Sequence, residues 1–405
     1  MPMPADARKR VLLFAEAVTL AHVARPVCFA RGLDRSRYRV AIAVASHAAR
    51  HVAAAGIEHL ALDSIEPRRF LAALAQGRAL YDDDTLQRYV QCDLALIERF
   101  APDVVVGDFR LSLSVSARLA HVPYVNIASA YWSPYYVPPG WPVPSLPLTR
   151  FLPLGLAQAV FSVARPAAFV LHCGPFNRVS VRHGLPPLPR DLRCVYTDAD
   201  IVAYSDLPEL FPLYGAPPTH RFLGPVLWQP AGELPEWWDQ LPADRPCLYV
   251  TLGSSGDARL LPRIVEALAP LPVTLLVASA ASLPFTLPSN VFAAPYLPGL
   301  LAAQRSRLVV CNGGNLTAYQ ALAAGVPVLG IAGNLDQLLN MQAFERAGVG
   351  HTLRADRFTS GDLRTAVEAI LGGSGHIGAV KTLSHSAAAS AFDARVAALI
   401  GELVG

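Results

Sequence analysis

The sequence predicts an α/β protein made of two doubly wound parallel-sheet domains, and three observations carry that reading. Short runs rich in Val, Ile and Leu alternate with longer helical patterns, as expected of parallel strands covered on both faces. The alternation occurs twice, on either side of a proline-rich stretch. A chain of 405 residues also suits two domains, at about 100 to 200 residues each.

In the first half the strand runs are VLLFAE (Val11 to Glu16), YRVAIAVAS (Tyr38 to Ser46), DVVVGD (Asp103 to Asp108) and VPYVNIA (Val122 to Ala128). In the second they are CLYVTLGS (Cys247 to Ser254), VTLLVAS (Val273 to Ser279), SRLVVCN (Ser306 to Asn312) and VPVLGIA (Val326 to Ala332). Proline clusters between Pro134 and Arg245, and the stretch PVLWQPAGELPEWWDQLPADRP reads as an extended connector, because proline removes a backbone donor and pushes its predecessor out of the helical region. Helices are expected over Leu152 to Val163 and Ala167 to Leu171. The division that follows is a first domain over 1–225, a linker over 226–245, a second domain over 246–385 and a helical tail over 386–405 that packs back across the domains.

Composition narrows the function. Hydrophobic residues make up 53% and charged residues 16%, against about 25% charged in typical soluble chains, which excludes a disordered protein. The net charge is +3, the basic residues are scattered arginines, and Lys9 and Lys381 are the two lysines, so no basic run invites nucleic acid. Six widely spaced cysteines without a CxxC pair read as reduced thiols, and a cytoplasmic location is expected. The basic N-terminal stretch precedes an apolar run that Glu16 interrupts, short of a signal-peptide core. The nearest approach to a membrane span, Phe151 to Val170, is broken by Arg165.

The most informative segment is VVCNGGNLTAYQALAAGVPVLGIAGNLDQ, Val309 to Gln337. A buried strand ends at Cys311, the chain turns through Gly313 and Gly314, and a helix opens near Asn315 and closes at Gly325. Glycines at such a helix start let backbone N–H groups and the helix dipole face an anion, and a phosphate is the natural ligand.

This block resembles the donor-binding signature of family 1 glycosyltransferases of the GT-B fold. The resemblance implies two Rossmann-like domains facing a central cleft, the first binding the acceptor and the second a UDP- or dTDP-sugar. In this sequence the donor diphosphate would meet Ser254, Asn312, Gly313, Gly314 and Thr317. Tyr296 and Leu297, in APYLPGLL, stand where the base is held, and Gln320 where the ribose is held. Asp336 and Gln337 stand where the sugar hydroxyls are bound, although Asp336 also suits a helix cap. Asn312 replaces a usual His and Gln320 a usual Glu, which leaves open the identity of the nucleotide sugar.

In the first half, AEAVTLAHVARP keeps the His22 and Pro26 of the family's turn but lacks its glycines. His22 follows the first strand and Asp108 ends another, so both fall on the ligand-binding rim of an open α/β sheet. The resemblance makes His22 the general base and Asp108 its partner, for a single in-line displacement with inversion. The acceptor pocket falls to the aromatic, proline-rich segment with Tyr131, Trp132, Tyr135 and Trp141, which suits a large apolar alcohol such as a polyketide.

The expected activity is therefore inverting, metal-independent glycosyl transfer to a hydrophobic small molecule, with no cofactor beyond the nucleotide sugar. A lipid-linked sugar transferase resembling family 28 and a non-catalytic nucleotide-sugar binder are the alternatives. Peripheral membrane contact is open, and so is the oligomeric state. Two Asp-x-Asp stretches, at Asp82 to Asp84 and Asp198 to Asp200, and the pair His47 and His51 are read as structural rather than metal-binding.

Overall fold

Strand formation follows the apolar runs. In the computed structural model, which describes residues 8–230, 232–279, 286–373, 375–388 and 391–404, the first sheet has seven parallel strands. They are β1 (Lys9–Ala15), β2 (Tyr38–Val44), β3 (Glu58–Ala61), β4 (Val104–Asp108), β5 (Tyr124–Ala128), β6 (Ile201–Tyr204) and β7 (His220–Phe222). Their order is β3-β2-β1-β4-β5-β6-β7. Val11 lies beside Val40 on one side and Val104 on the other. Both sheet faces are covered, so Val11 to Ala15 are wholly buried.

The second sheet has six parallel strands: β8 (Cys247–Thr251), β9 (Thr274–Ala278), β10 (Val291–Ala294), β11 (Leu308–Cys311), β12 (Val328–Ala332) and β13 (Gly350–Arg354). Their order is β10-β9-β8-β11-β12-β13. Its core joins Leu248, Val250, Leu275, Val310 and Leu329 to Ile264, Leu268, Val367 and Ile370 from helices.

The chain divides into two compact units, and their borders differ from the sequence division. The first comprises Met1–Val137, Val160–Val226 and Ala391–Gly405; the second comprises Pro138–Ala159 and Leu227–Ser390. Residues 138–159 join the second unit through specific bonds. Ser145 N–H donates to the Gly333 carbonyl (2.7 Å), Thr149 Oγ1 to Asp356 (2.7 Å) and Arg354 to the Val143 carbonyl (2.5 Å). The stretch expected to be a linker is also packed there: Trp228 and Trp238 are buried, and Arg305 lies over the Trp238 ring.

One helix, Leu154–Arg182, runs through both Pro166 and Pro175, where two shorter helices were expected. The tail forms two helices, Gly375–Ala388 and Phe392–Val404, and the latter packs on the helix Ala21–Arg31 and on β4 in the first unit. Residues 1–7 of the basic N-terminal stretch, and 389, 390 and 405 of the tail, lie outside the described residues.

Candidate active site

Each sheet has one place where the strand order reverses, between β1 and β4 in the first and between β8 and β11 in the second. Loops leaving the carboxyl ends of such a pair diverge and open a ligand-sized crevice. His22 and Asp108 lie at the first of these places, and Ser254, Asn312, Gly313 and Gly314 at the second.

In the first unit β1 leads into the helix Ala21–Arg31, which carries His22 in its first turn, while Asp108 is the last residue of β4. His22 Nδ1 lies 2.7 Å from Asp108 Oδ1. The carboxylate is wholly buried, whereas the imidazole retains 15% exposure. With the ring proton on Nδ1, facing the carboxylate, Nε2 is the basic nitrogen.

The sequence analysis missed Arg25, one helical turn beyond His22. Its Nε donates to Asp108 Oδ2 and its Nη2 to Oδ1, both at 2.7 Å, and Nη1 donates to Ser129 Oγ at 3.1 Å. Nη2 also lies 2.8 Å from His22 Nδ1. Burial alone would pull the Arg25 pKa down, and Asp108 outweighs it, so the guanidinium stays charged. A bidentate clamp of this kind fixes the carboxylate plane against which the imidazole is aligned.

Phe109 was also missed. It has φ +57°, a left-handed conformation that costs a residue with a side chain about 1 to 2 kcal/mol. Its ring stacks on His22 with centroids 4.8 Å apart. From there aromatic contacts continue to Tyr196 (5.4 Å), on to Trp132 (5.0 Å) and then to Phe169 (6.5 Å). Trp132 is thus joined by neighbouring rings to the candidate base. Tyr135 is half-buried against His220, and Tyr131 is fully buried on Phe211, within the core. Trp141 belongs to the second unit, where its carbonyl accepts from Gln158.

Behind His22 lies a second buried network. Arg110 donates to Asp93 (2.9 Å) and Glu16 (2.7 Å) and sits over the Tyr89 ring. Burial raises the pKa of both carboxyls. A charged residue within two positions of the end of a buried strand, as in Glu16 and Arg110, was the available signal.

In the second unit the loops after β8 and β11 are tied together by neutral groups. Asn312 Nδ2 donates to Ser255 Oγ (3.0 Å), and its Oδ1 accepts the Gly314 N–H (3.1 Å). Gly313 has φ +76°, and a Cβ there would come within 2.5 Å of Met341 Cγ. Gly314 is the N-cap of the helix Asn315–Ala323 and provides no side-chain cap, so the first-turn N–H groups suit an anion. Thr317 is half-buried in that turn, and Ser254 is exposed on the β8 loop.

Gln320 is buried, donates to the Trp228 carbonyl (2.6 Å) and leaves its Oε1 against Gly299, where a Cβ would be only 2.3 Å away. The Tyr296 hydroxyl donates to the Pro230 carbonyl (3.3 Å), burial raises its pKa to about 12, and Leu297 is buried beside it. Gln337 is buried too: its Oε1 accepts from the Gly333 N–H (2.9 Å) and its Nε2 donates to the Ser255 carbonyl (3.3 Å). The helix cap is Asn334 rather than Asp336, which sits half-buried in the first turn.

Among the described residues no group of three His, Cys, Asp or Glu is arranged to hold a metal ion. Asp82 caps the helix Asp83–Phe100, Asp83 pairs with Arg178 and Arg182, Asp198 pairs with Arg118, and His47 bonds the Ala17 carbonyl.

The chain is a glycosyltransferase of the GT-B fold: it has two doubly wound parallel-sheet units, and its relatives are glycosyltransferases. The chain belongs to the family 1 type of these enzymes, which transfer sugars to hydrophobic small molecules. Residues 260–403 match the family described as Erythromycin biosynthesis protein CIII-like, C-terminal domain. A PGL/p-HBAD biosynthesis rhamnosyltransferase of Mycobacterium bovis (strain BCG / Pasteur 1173P2) is 50% identical over 91% of this chain and 82% of its own length. A PGL/p-HBAD biosynthesis glycosyltransferase of Mycobacterium tuberculosis (strain ATCC 25177 / H37Ra) is 47% identical over 92% of this chain and 87% of its own. The solved structure of the spinosyn rhamnosyltransferase SpnG with thymidine diphosphate has a TM-score of 0.71 at 20% identity, covering 98% of this chain and 100% of that one.

Proposed function

We propose that the enzyme is an inverting glycosyltransferase that moves a deoxyhexose such as rhamnose from its dTDP-linked donor to a hydroxyl of a large apolar acceptor. His22 Nε2 accepts the proton of the acceptor hydroxyl while Asp108 stabilises the imidazolium that forms. The acceptor oxygen bonds to the anomeric carbon from the face opposite the diphosphate, whose C–O bond breaks and whose oxygen keeps the electron pair. One displacement inverts that carbon. The N–H groups in the first turn of the helix Asn315–Ala323 stabilise the leaving diphosphate.

The observation that carries this reading is the 2.7 Å pairing of His22 with a wholly buried Asp108. A binder with no chemistry to perform has no use for an imidazole so aligned. The chain of rings from Phe109 to Trp132 supports an apolar acceptor, and the family supports a nucleotide sugar as co-substrate, for which no further cofactor is invoked. The dTDP-rhamnose assignment draws on the relatives named above. A cytoplasmic location, where nucleotide sugars are made, belongs to the same proposal.

The test incubates the enzyme with dTDP-rhamnose and a panel of hydrophobic alcohols and phenols, reading dTDP release and acceptor mass. Transfer with inverted anomeric configuration is expected. Efficient transfer to a free monosaccharide, with none to any apolar alcohol, overturns the acceptor assignment.

A further inference from the structure

The helix Leu154–Arg182 is long and apolar enough to cross a membrane by length and composition, yet only 11% of its most apolar 18-residue stretch is buried. Successive helical residues are set about 100° apart around the axis. Phe169, Cys173, Phe176 and Ser180 therefore share one side, and all four are buried. Val160, Val163, Ala167, Val170 and Leu171 share the opposite side and are exposed, Val163 by 83% and Leu171 by 72%. That stripe continues towards Arg178 and Arg182, two cations that share the single carboxylate of Asp83. No Asp or Glu occurs anywhere from Thr149 to Arg190, whereas five arginines do: Arg150, Arg165, Arg178, Arg182 and Arg190.

We propose that this exposed helix face docks on the surface of a lipid bilayer carrying anionic headgroups. An aliphatic stripe on a helix without carboxylates of its own, ending in two arginines that share the single carboxylate of Asp83, has the chemistry of a helix lying in the membrane interface. The other occupant such a face could take, a second copy of the chain, is an outcome of the test below. The helix lies on the bilayer rather than across it: its other side is buried in the first unit, and Asn177 is fastened to Leu188 by bonds in both directions. The surface is this helix face and not the proline-rich loop. It is independent of the donor and acceptor assignments, although an enzyme with an apolar acceptor gains from standing where that acceptor dissolves.

The experiment sediments the full-length protein with vesicles of phosphatidylcholine alone, or with roughly a third phosphatidylglycerol. Wild type is expected to sediment with the anionic vesicles, and high salt should weaken it. The double variant Val163→Glu, Leu171→Glu is expected to lose at least about tenfold in partitioning, since both changes put a charge into the interface. Tyr214→Glu, at an exposed site elsewhere in the first unit, serves as a control that sediments like wild type. Both side chains of the double variant point to solvent, so its melting temperature and dTDP titration should match wild type; failure of dTDP to bind wild type would count against the donor reading alone. The proposal fails if wild type stays in the supernatant, or if the double variant sediments unchanged. It also fails if wild type resists an alkaline carbonate wash, as a spanning helix would, or if the double variant converts a dimer to a monomer.

Discussion

The two strand-order reversals hold sites of opposite construction. In the first unit the site is made of ionisable side chains, with His22, Asp108 and Arg25 in one buried cluster and Glu16, Asp93 and Arg110 in another behind it. In the second it is made of backbone N–H groups and neutral amides: Asn312, Gln320 and Gln337 are all buried and all bonded to the protein's own loops. Proton transfer requires a group that changes charge near neutral pH, so a titratable side chain and its partner must be built in. Holding a diphosphate requires only converging dipoles, which a glycine turn and a helix start already supply. Under the proposed reading, Asn312 in place of the family's usual His gives up a charge and keeps the backbone donors.

The comparison breaks most visibly at His22. Replacing His22 by Ala should lower turnover by roughly two to four orders of magnitude, the usual worth of a general base, and leave nucleotide binding intact. Turnover near wild type would refute the difference drawn between the two sites.

Stability sharpens the same contrast. Asp108→Ala leaves the Arg25 guanidinium buried without its carboxylate, and losing one partner of a buried ion pair costs about 3 to 5 kcal/mol. Asn312→Ala removes neutral hydrogen bonds to Ser255 and Gly314, worth about 1 to 3 kcal/mol. Urea unfolding of the two variants should rank them in that order; the reverse ranking would mean that the amide network, not the ion pair, fastens its unit.

Much of this was legible before the structure, for identifiable reasons. The NGG block and the buried strand runs are local patterns, and the rim shared by His22 and Asp108 follows from where such strands end. The strands that escaped notice are short or polar: in β3 Glu58, His59 and Ala61 are exposed, β6 and β10 have four residues each, β7 has three, and β13 begins Gly350-His351-Thr352. Arg25 escaped because its meaning lies in Asp108, 83 residues away. Phe109 escaped because a left-handed backbone at a phenylalanine has no sequence signature. The placement of residues 138–159 with the second unit depends on bonds to Gly333, Arg354 and Asp356, which no composition reveals.

Thr317 probes the second site by a smaller step. Thr317→Val keeps the shape and deletes a hydroxyl in the first turn of the helix, and a hydrogen bond to a charged group is worth about 1.5 to 3 kcal/mol. Calorimetric titration with dTDP should show that loss in affinity, with the turnover of saturated enzyme far less affected than in His22→Ala. Unchanged affinity would move the diphosphate away from this helix.

The smallest effect concerns the choice of nucleotide. A Glu facing the ribose can accept from two hydroxyls, whereas Gln320 has one acceptor oxygen. Its Nε2 already donates to the Trp228 carbonyl at 2.6 Å, which fixes the amide and leaves Oε1 beside Gly299. The site thus has less to offer a 2′-hydroxyl than the usual carboxylate would, and the advantage of a ribonucleotide over its deoxy counterpart shrinks. Competition between UDP and dTDP should give affinities within about tenfold of each other, or about 1.4 kcal/mol, with dTDP the tighter. Gln320→Glu should restore a preference for UDP, provided that the Trp228 carbonyl finds another donor. UDP binding at least about tenfold tighter than dTDP in the unmodified enzyme would show that the ribose is read by another residue, and that the neutral character of the second site extends no further than its phosphates.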